Sequence, residues 1–343
     1  MTQPSPPDPT PIIDLLNAFR TSAAMFTAVS LGVFDQLATG PLDRATLAEK
    51  LPADADALGR LLEVCVGLGL LKREGEAFAN TESAQVYLCK HSPRRMTVYI
   101  TYSDRVLWKM WANLPDAVRE GTNRWKQTFG LDGPLFTNFF RSEDDKREFL
   151  WGMHGFGMIS SPEVASAFDL SGYRHLVDLG GATGHLAIAC CRRYPTLRAT
   201  VFDLPVAIPL AAEVVADASD VSSRMTTLGG DFFADTLPEA DLYALGRILH
   251  DWDVSKIRRL LARIHEALPP GGALLIAEKM LDDDRAGPRW AQLQSLNMLV
   301  CTDGKERTAG EYAELLREAG FVHVEARRTS VPVDAILAVK GRA

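Results

Sequence analysis

The stretch HLVDLGGATGHLAIACCRRYP, residues 175–195, reads as a short buried strand, a glycine turn and a helix in immediate succession. Leu176, Val177 and Leu179 give a brief apolar run. Gly180 and Gly181 admit backbone angles closed to other residues, and Gly184 opens an Ala/Ile-rich segment of helical character. A glycine turn brings main-chain N–H groups close to a ligand, and the positive end of the helix favours a carboxylate or phosphate there. Asp203 ends the next expected strand, about 20 residues beyond the turn, the offset at which a carboxylate takes ribose hydroxyls. The stretch is therefore expected to hold a nucleotide-containing cofactor.

Outward from this stretch, strand and helix patterns alternate. Strands are expected at Arg174 to Leu179, Ala199 to Leu204, Met225 to Leu228, Leu242 to Leu245 and Ala273 to Glu278, with two more at Val322 to Arg328 and Ala335 to Val339. Helices are expected at Gly184 to Tyr194, Pro205 to Ala216, Val254 to Leu268, near Pro288 to Val300, and at Ala309 to Ala319. This pattern predicts an α/β, doubly wound, Rossmann-like domain over residues 171–343, with a mostly parallel sheet.

Towards the N-terminus the pattern changes. Residues 96–170 read as a helical connector rich in aromatic residues, suited to wall a substrate pocket; Phe149, Met153 and Phe156 recur at i, i+4 and i+7, one helix face. Over residues 12–95 apolar residues recur at helical spacing from Ile12 to Leu37. Helices follow at Asp43 to Leu51 and Asp54 to Leu70, then two small strands in LLKREGEAFANT joined at Gly75. Helices followed by such a wing suggest a winged-helix unit. A DNA-binding regulator is one reading of it, but Asp54 to Leu70 offers Arg60 as its only basic residue beside Asp54, Asp56 and Glu63. A dimerisation role suits this acidic face and the long apolar face before it. Residues 1–11, MTQPSPPDPTP, read as a disordered, proline-rich lead-in.

The chain has 343 residues, 47% of them hydrophobic, enough for two cores, and a formal charge of -7, which argues against a nonspecific hold on nucleic acid or an anionic membrane. No apolar run is expected to reach the length of a membrane span, and the N-terminus lacks the charged and apolar regions of a secretory signal, so the cytoplasm is the expected location. The five cysteines show neither zinc-ligand spacing nor a disulfide framework and are expected as free thiols. No metal site is expected.

Neither G-x-G-x-x-G nor a phosphate loop fits the turn. From Asp178 the pattern is D-x-G-x-A-x-G, which resembles the acidic-x-G-x-G-x-G signature of S-adenosylmethionine-dependent methyltransferases, with Ala182 at the middle glycine. With TVFDLP, GDFF, LHDW, PPGG, SLNMLV and DGKERT following in order, nearly the whole chain resembles the plant-type small-molecule O-methyltransferases, and within them the acetylserotonin-methylating branch. The resemblance implies a Rossmann-like methyltransferase domain and a mostly α-helical, winged-helix-like dimerisation domain. It also implies a homodimer formed through the latter.

Carried over residue by residue, the likeness sets Asp178, Gly180 and Gly181 around the methionine portion of the cofactor. It sets Asp203, with Leu204 beside it, at the ribose, and Asp231 and Phe232 at adenine. Arg247 matches an arginine that faces the cofactor. His250 matches the catalytic base, followed by Asp251, and Glu278 and Glu306 match two acids that flank it. Asn297 and Met298 match substrate-pocket positions, and Phe149 and Met153 resemble an apolar clamp. Cys301 departs from the acetylserotonin branch, which has a glutamine there.

The chemistry needs these residue types. A hydroxyl is a poor nucleophile until its proton is removed, and histidine, with a reference pKa of about 6.5, accepts a proton near neutrality. A carboxylate on the far ring nitrogen fixes the tautomer; Glu278, Glu306 or Asp251 would serve, Asp251 also being a candidate cap for the helix near Val254. The expected activity is S-adenosylmethionine-dependent O-methylation of an apolar aromatic small molecule, a phenol in the first instance, with release of S-adenosylhomocysteine. C- or N-methylation, or a diverted hydroxylase on the same fold, are the alternatives, with a regulator that senses the cofactor behind them.

Overall fold

A computed structural model of the chain describes residues 6–140 and 142–342, in two compact units, 1–105 and 106–343. The first unit carries α1 (Thr10–Leu31), α2 (Val33–Gln36), β1 (Leu42–Asp43), α3 (Arg44–Lys50), α4 (Ala55–Gly67), β2 (Leu71–Glu74), β3 (Ala77–Asn80), α5 (Glu82–Tyr87) and α6 (Thr97–Tyr102). Gly32, at φ +81°, ends α1, so the single helical pattern to Leu37 is broken in two. Asp43 and Asp54 cap α3 and α4 by accepting the N–H groups of Thr46 and Ala57. On α4, Leu58, Leu62 and Cys65 share the buried face at i, i+4 and i+7 and pack with Val33, Phe34, Leu47 and Phe78. The strands pair in the order β1-β3-β2, a small wing. Arg60, the basic residue of α4, is held by Asp56 at 2.6 Å.

Three expectations change here. The helix begins at Thr10, inside the lead-in expected to run to residue 11; residues 1–5 lie outside the described residues. Residues 96–105, expected in the connector, belong to the first unit because Ile100 is buried in its core with Met96 packed beside it. And α1, whose 22 residues include only Asp14 and Arg20 as charges, is long and apolar enough by length and composition to cross a membrane.

The second unit begins with short helices α7 (Trp108–Trp111), α8 (Leu114–Glu120), α9 (Trp125–Phe129) and α10 (Leu135–Phe139), and then the long α11 (Glu143–Ala167). The alternating region follows: β4 (His175–Leu179), α12 (His185–Arg193), β5 (Arg198–Asp203), α13 (Ile208–Asp217), β6 (Met225–Gly229), β7 (Leu242–Gly246), α14 (Val254–Ala267), β8 (Ala273–Glu278), α15 (Arg289–Cys301), α16 (Ala309–Glu318), β9 (Phe321–Arg327) and β10 (Asp334–Lys340). The sheet order is β6-β5-β4-β7-β8-β10-β9, parallel except that β10 runs antiparallel to both neighbours. Leu176, Leu242, Leu275 and Ala335 are fully buried in the core with Leu186, Ala187 and Cys190 of α12, so helix and sheet close on one apolar layer.

The chain turns from β4 to β5 in one direction and from β4 to β7 in the other, which opens a crevice at the carboxyl ends of these strands. Asp178 is the penultimate residue of β4, Asp203 ends β5, and Glu278 ends β8, while His250 follows β7 by four residues. The parallel register thus gathers four distant segments at one edge.

Candidate active site

At Gly180 and Gly181 the turn after β4 leaves no room for a side chain. A Cβ on Gly181 would lie 2.8 Å from Asp178 Cγ, and one on Gly180, at φ +68°, 2.6 Å from Ile248 Cδ1 and 3.3 Å from Phe232 Cε1. Phe232 therefore lies over the turn. Ala182 also adopts the left-handed region, at φ +49°, the conformation that the glycine of the methyltransferase signature reaches without strain. Its N–H donates to Asp203 Oδ2 at 2.7 Å, and Leu204 N–H donates to Oδ1 at 2.7 Å. One half-buried carboxylate thus fastens the turn to the end of β5 and keeps lone pairs for hydroxyl donors.

Asp178 is buried, and its Oδ2 accepts the N–H of Ala187 in the first turn of α12 at 3.3 Å. Burial pushes its carboxyl up to about 7, against that hydrogen bond and with help from Asp203; burial likewise pushes Asp203 up to about 6. Two acids raised in this way are returned to their ionised forms by a cation. A glycine cradle that a Cβ would fill, beside two desolvated acids, therefore fits a cationic, ribose-bearing cofactor. Asp231 organises the turn after β6 by accepting Phe233 N–H at 2.7 Å. Arg247 stands at φ +59°, its N–H donating to Ala277 O and its guanidinium 5.2 Å from the ring of Phe156.

His250 lies on a 3-10 turn, Leu249–Asp251, and is 4% exposed. Its Nδ1 meets Glu306 Oε1 at 2.7 Å and stands 3.3 Å from Glu278 Oε2. The two acids divide the work. Glu278 Oε1 accepts the N–H groups of Ile248, Leu249 and His250 at 2.9, 2.8 and 3.4 Å and so sets the backbone of the turn, whereas Glu306 addresses the ring. Burial alone would lower the pKa of His250; Glu278, Glu306 and Asp251 outweigh it and raise the group to about 10. Burial raises Glu278 to about 7, against His250 and with Glu306 and Asp251.

Asp251 Oδ1 is 3.7 Å from His250 Nε2, beyond hydrogen-bonding distance, and burial raises its carboxyl to about 6. It does not cap α14. That cap is Asp253, whose Oδ1 accepts the N–H groups of Ser255 and Lys256. Two residues of DGKERT support the turn in ways the sequence reading missed. A Cβ on Gly304 would fall 2.1 Å from His250 O, so only glycine permits the approach, and buried Arg307 donates to the carbonyls of Leu249 and Trp252.

His250, Glu278 and Glu306 bring ligand atoms within 4.8 Å of one another, the one group of this kind among the described residues. Bonds of about 2.0–2.2 Å to a tetrahedral zinc would spread two ligand atoms roughly 3.3 Å apart. The 2.7 Å between Nδ1 and Oε1 suits a shared proton better than a metal ion.

On α11, Phe149 packs against Phe139 and Phe140 at 4.6 and 6.0 Å, and Phe156 lies 6.2 Å from Trp290, with Met153 between them in sequence. Asn297 Oδ1 accepts the indole N–H of Trp111 at 2.8 Å and faces Cys301 Sγ at 3.7 Å, while Met298 is buried. Trp111, 186 residues away from Asn297, carried no signal of this pairing in the sequence.

The sheet order, the glycine turn and the histidine at the carboxyl edge define a Rossmann-like methyltransferase domain. Residues 111–322 match the model of the O-methyltransferase domain, and residues 13–90 that of the O-methyltransferase dimerisation domain. Acetylserotonin O-methyltransferase of Gallus gallus is 44% identical over 336 residues, 96% of each chain. A probable bifunctional dTTP/UTP pyrophosphatase/methyltransferase protein of Homo sapiens is 39% identical over 98% of this chain and 54% of its own. The crystal structure of human N-acetylserotonin methyltransferase in complex with S-adenosylmethionine superposes with a TM-score of 0.92 at 41% identity, over 99% of this chain and all of that one. The chain belongs to the O-methyltransferase family, and its methyl donor is S-adenosylmethionine.

Proposed function

We propose that the protein methylates a hydroxyl of an apolar aromatic small molecule, a phenol in the first instance, with His250 as general base and S-adenosylhomocysteine as the second product. The observation that carries this reading is the 2.7 Å contact between His250 Nδ1 and Glu306 Oε1. With Nδ1–H donated to Glu306, Nε2 is the nitrogen with a lone pair for the hydroxyl proton. When bound, S-adenosylmethionine supplies an electrophilic methyl group on a sulfonium. The chain does the rest. Asp178, Gly180 and Gly181 take the methionine portion, Asp203 the ribose, and Asp231 with Phe232 the adenine, with Arg247 facing the same crevice. Phe149, Met153, Phe156, Asn297 and Met298 hold the acceptor ring so that its oxygen can approach in line, at about 3–3.5 Å, the geometry from which much of the acceleration comes.

Most of the relatives are named for acetylserotonin; here buried Cys301, beside Asn297, is smaller and less polar than the glutamine of that branch, which favours acceptors without an acetamido arm. The dimerisation domain supports a homodimer. Ile12, Leu15, Leu16 and Phe19 of α1 are 54–70% exposed in the single chain, an apolar face that a second copy would cover, and the assembly is expected in the cytoplasm. The test is His250→Ala with labelled S-adenosylmethionine and a set of phenols that includes acetylserotonin. Calorimetry should show the cofactor still bound while methylated product, read by mass spectrometry, falls by roughly 10²-fold or more. Undiminished turnover would remove His250 from the reaction.

A further inference from the structure

The turn Ala182–Thr183–Gly184 is held from a side that the reaction itself does not use. Thr183 is fully buried, and its Oγ1 lies 2.9 Å from His154 Nδ1 on α11. Trp151, one turn earlier, meets the His154 ring edge-on at 4.9 Å and fixes its plane. Seven residues after His154, Ser161 Oγ lies 2.9 Å from His185 Nδ1, and between the two contacts Gly157 makes room, since a Cβ there would stand 2.2 Å from the His185 ring. Residues 154, 157 and 161 share one face of α11, so a single helix face grips both ends of the segment that runs from the left-handed Ala182 into α12. The neighbouring positions on α11, Met153 and Phe156, belong to the acceptor wall.

We infer that His154 is a positioning residue for the cofactor: through Thr183 it holds the turn in the conformation that Ala182, unlike a glycine, does not adopt freely. This rests on the reading of the turn as the S-adenosylmethionine site. A hydrogen bond between a buried hydroxyl and a half-buried ring contributes enough to change an equilibrium constant about fivefold, and the Cβ of Ala182 gives the turn a reason to need it.

The experiment measures S-adenosylmethionine affinity by calorimetry, and kcat with both KM values, for Thr183→Val, His154→Leu and the double variant, with thermal melts as a folding control. Thr183→Val keeps the shape of the side chain and removes the hydroxyl alone. Each single variant should weaken cofactor affinity and raise its KM about fivefold, with kcat and the acceptor KM within twofold of the parent, and the double variant should be no worse than either. His154→Asn, which can still meet Thr183 Oγ1, should restore affinity. In an Ala182→Gly background the loss on Thr183→Val should shrink to less than twofold. Unchanged affinity in Thr183→Val, or an equal loss with Ala and with Gly at position 182, overturns the inference. Asp203→Asn separates this from failure of the underlying reading. If it too leaves cofactor affinity untouched, the turn is not the cofactor site; if it abolishes affinity while Thr183→Val is silent, His154 alone is misassigned.

Discussion

Glu306 Oε1 and His250 Nδ1 stand 2.7 Å apart although 56 residues separate them in the chain. The contact fixes which ring nitrogen carries the proton and supplies a negative charge to the imidazolium formed when Nε2 takes a proton. Glu306→Gln keeps the shape and removes the charge. We expect kcat at its high-pH plateau to fall by roughly 10–100-fold, part of the 10²–10⁴-fold that a positioned base contributes, with S-adenosylmethionine affinity within twofold of the parent. Steady-state kinetics and calorimetry on the same preparation check both halves, and equal kcat would leave Glu306 a structural acid only.

The same carboxylates set the pH dependence. Burial opposes protonation of His250, but Glu278, Glu306 and Asp251 together raise its pKa to about 10. The base acts only when neutral, so log kcat should climb with pH from neutrality towards 10, well above the 6.5 of an ordinary histidine. Removing one carboxylate destabilises the imidazolium, lowers the pKa and moves the rising limb to lower pH. Glu306→Gln should therefore reach its own plateau at a lower pH than the parent on the same acceptor, whose own ionisation then cancels. A limb that stays in place, or moves upward, contradicts the assignment.

Much of this site was legible before the fold was seen, and the residues that were not share a cause. The alternation after Leu170 revealed the parallel sheet, and Asp203 and Glu278 could be placed at strand ends because strand periodicity stops there. Local pattern says nothing about pairing over long separations. Glu278 and Glu306, with Asp251 as a third candidate, were left open for the far ring nitrogen until the fold set Glu306 on Nδ1 and turned Glu278 to three backbone amides. Asp251 was the cap candidate for α14, and the chain leaving the 3-10 turn gives that role instead to Asp253, two residues on. Gly32 sits in a continuous apolar pattern, where its left-handed angle leaves no periodic signature. The grip of α11 on Thr183 and His185 depends on two polar side chains whose partners lie 24 and 29 residues on.

Ala182 carries a cost that a one-atom change can remove. At φ +49° its Cβ crowds the backbone, and alanine at a left-handed position is worse than glycine by more than glycine loses through its freer unfolded chain. Ala182→Gly should stabilise the apoprotein by about 1 kcal/mol, a rise of about 1–2 °C in melting temperature for a chain of this size. A lower melting temperature would mean that the methyl group packs well enough to outweigh its backbone strain.

Glu278 offers the sharpest separation of folding from chemistry, because its two oxygens face different tasks. Oε1 accepts the amides of Ile248, Leu249 and His250, and Oε2 is buried with no hydrogen-bond partner among the described residues, 3.3 Å from His250 Nδ1. A carboxyl so placed is raised to about 7, chiefly by burial, so the folded protein binds its proton more tightly than the unfolded chain does. Its contribution to stability is therefore full below the unfolded value near 4.5 and is lost as pH rises through about 7. Glu278→Gln retains an oxygen for the three amides and carries no charge to desolvate. It should melt no lower than the parent at pH 8, and its advantage should vanish by pH 4, while kcat falls because one of the carboxylates stabilising the imidazolium is gone. Glu278→Ala abandons the amides and leaves a cavity, and should destabilise at both pH values by about 2–4 kcal/mol. Melting curves at pH 4 and pH 8 for the three proteins decide the matter: if Gln and Ala behave alike, the amides of the 3-10 turn do not depend on Oε1, and the division of labour between Glu278 and Glu306 falls with them.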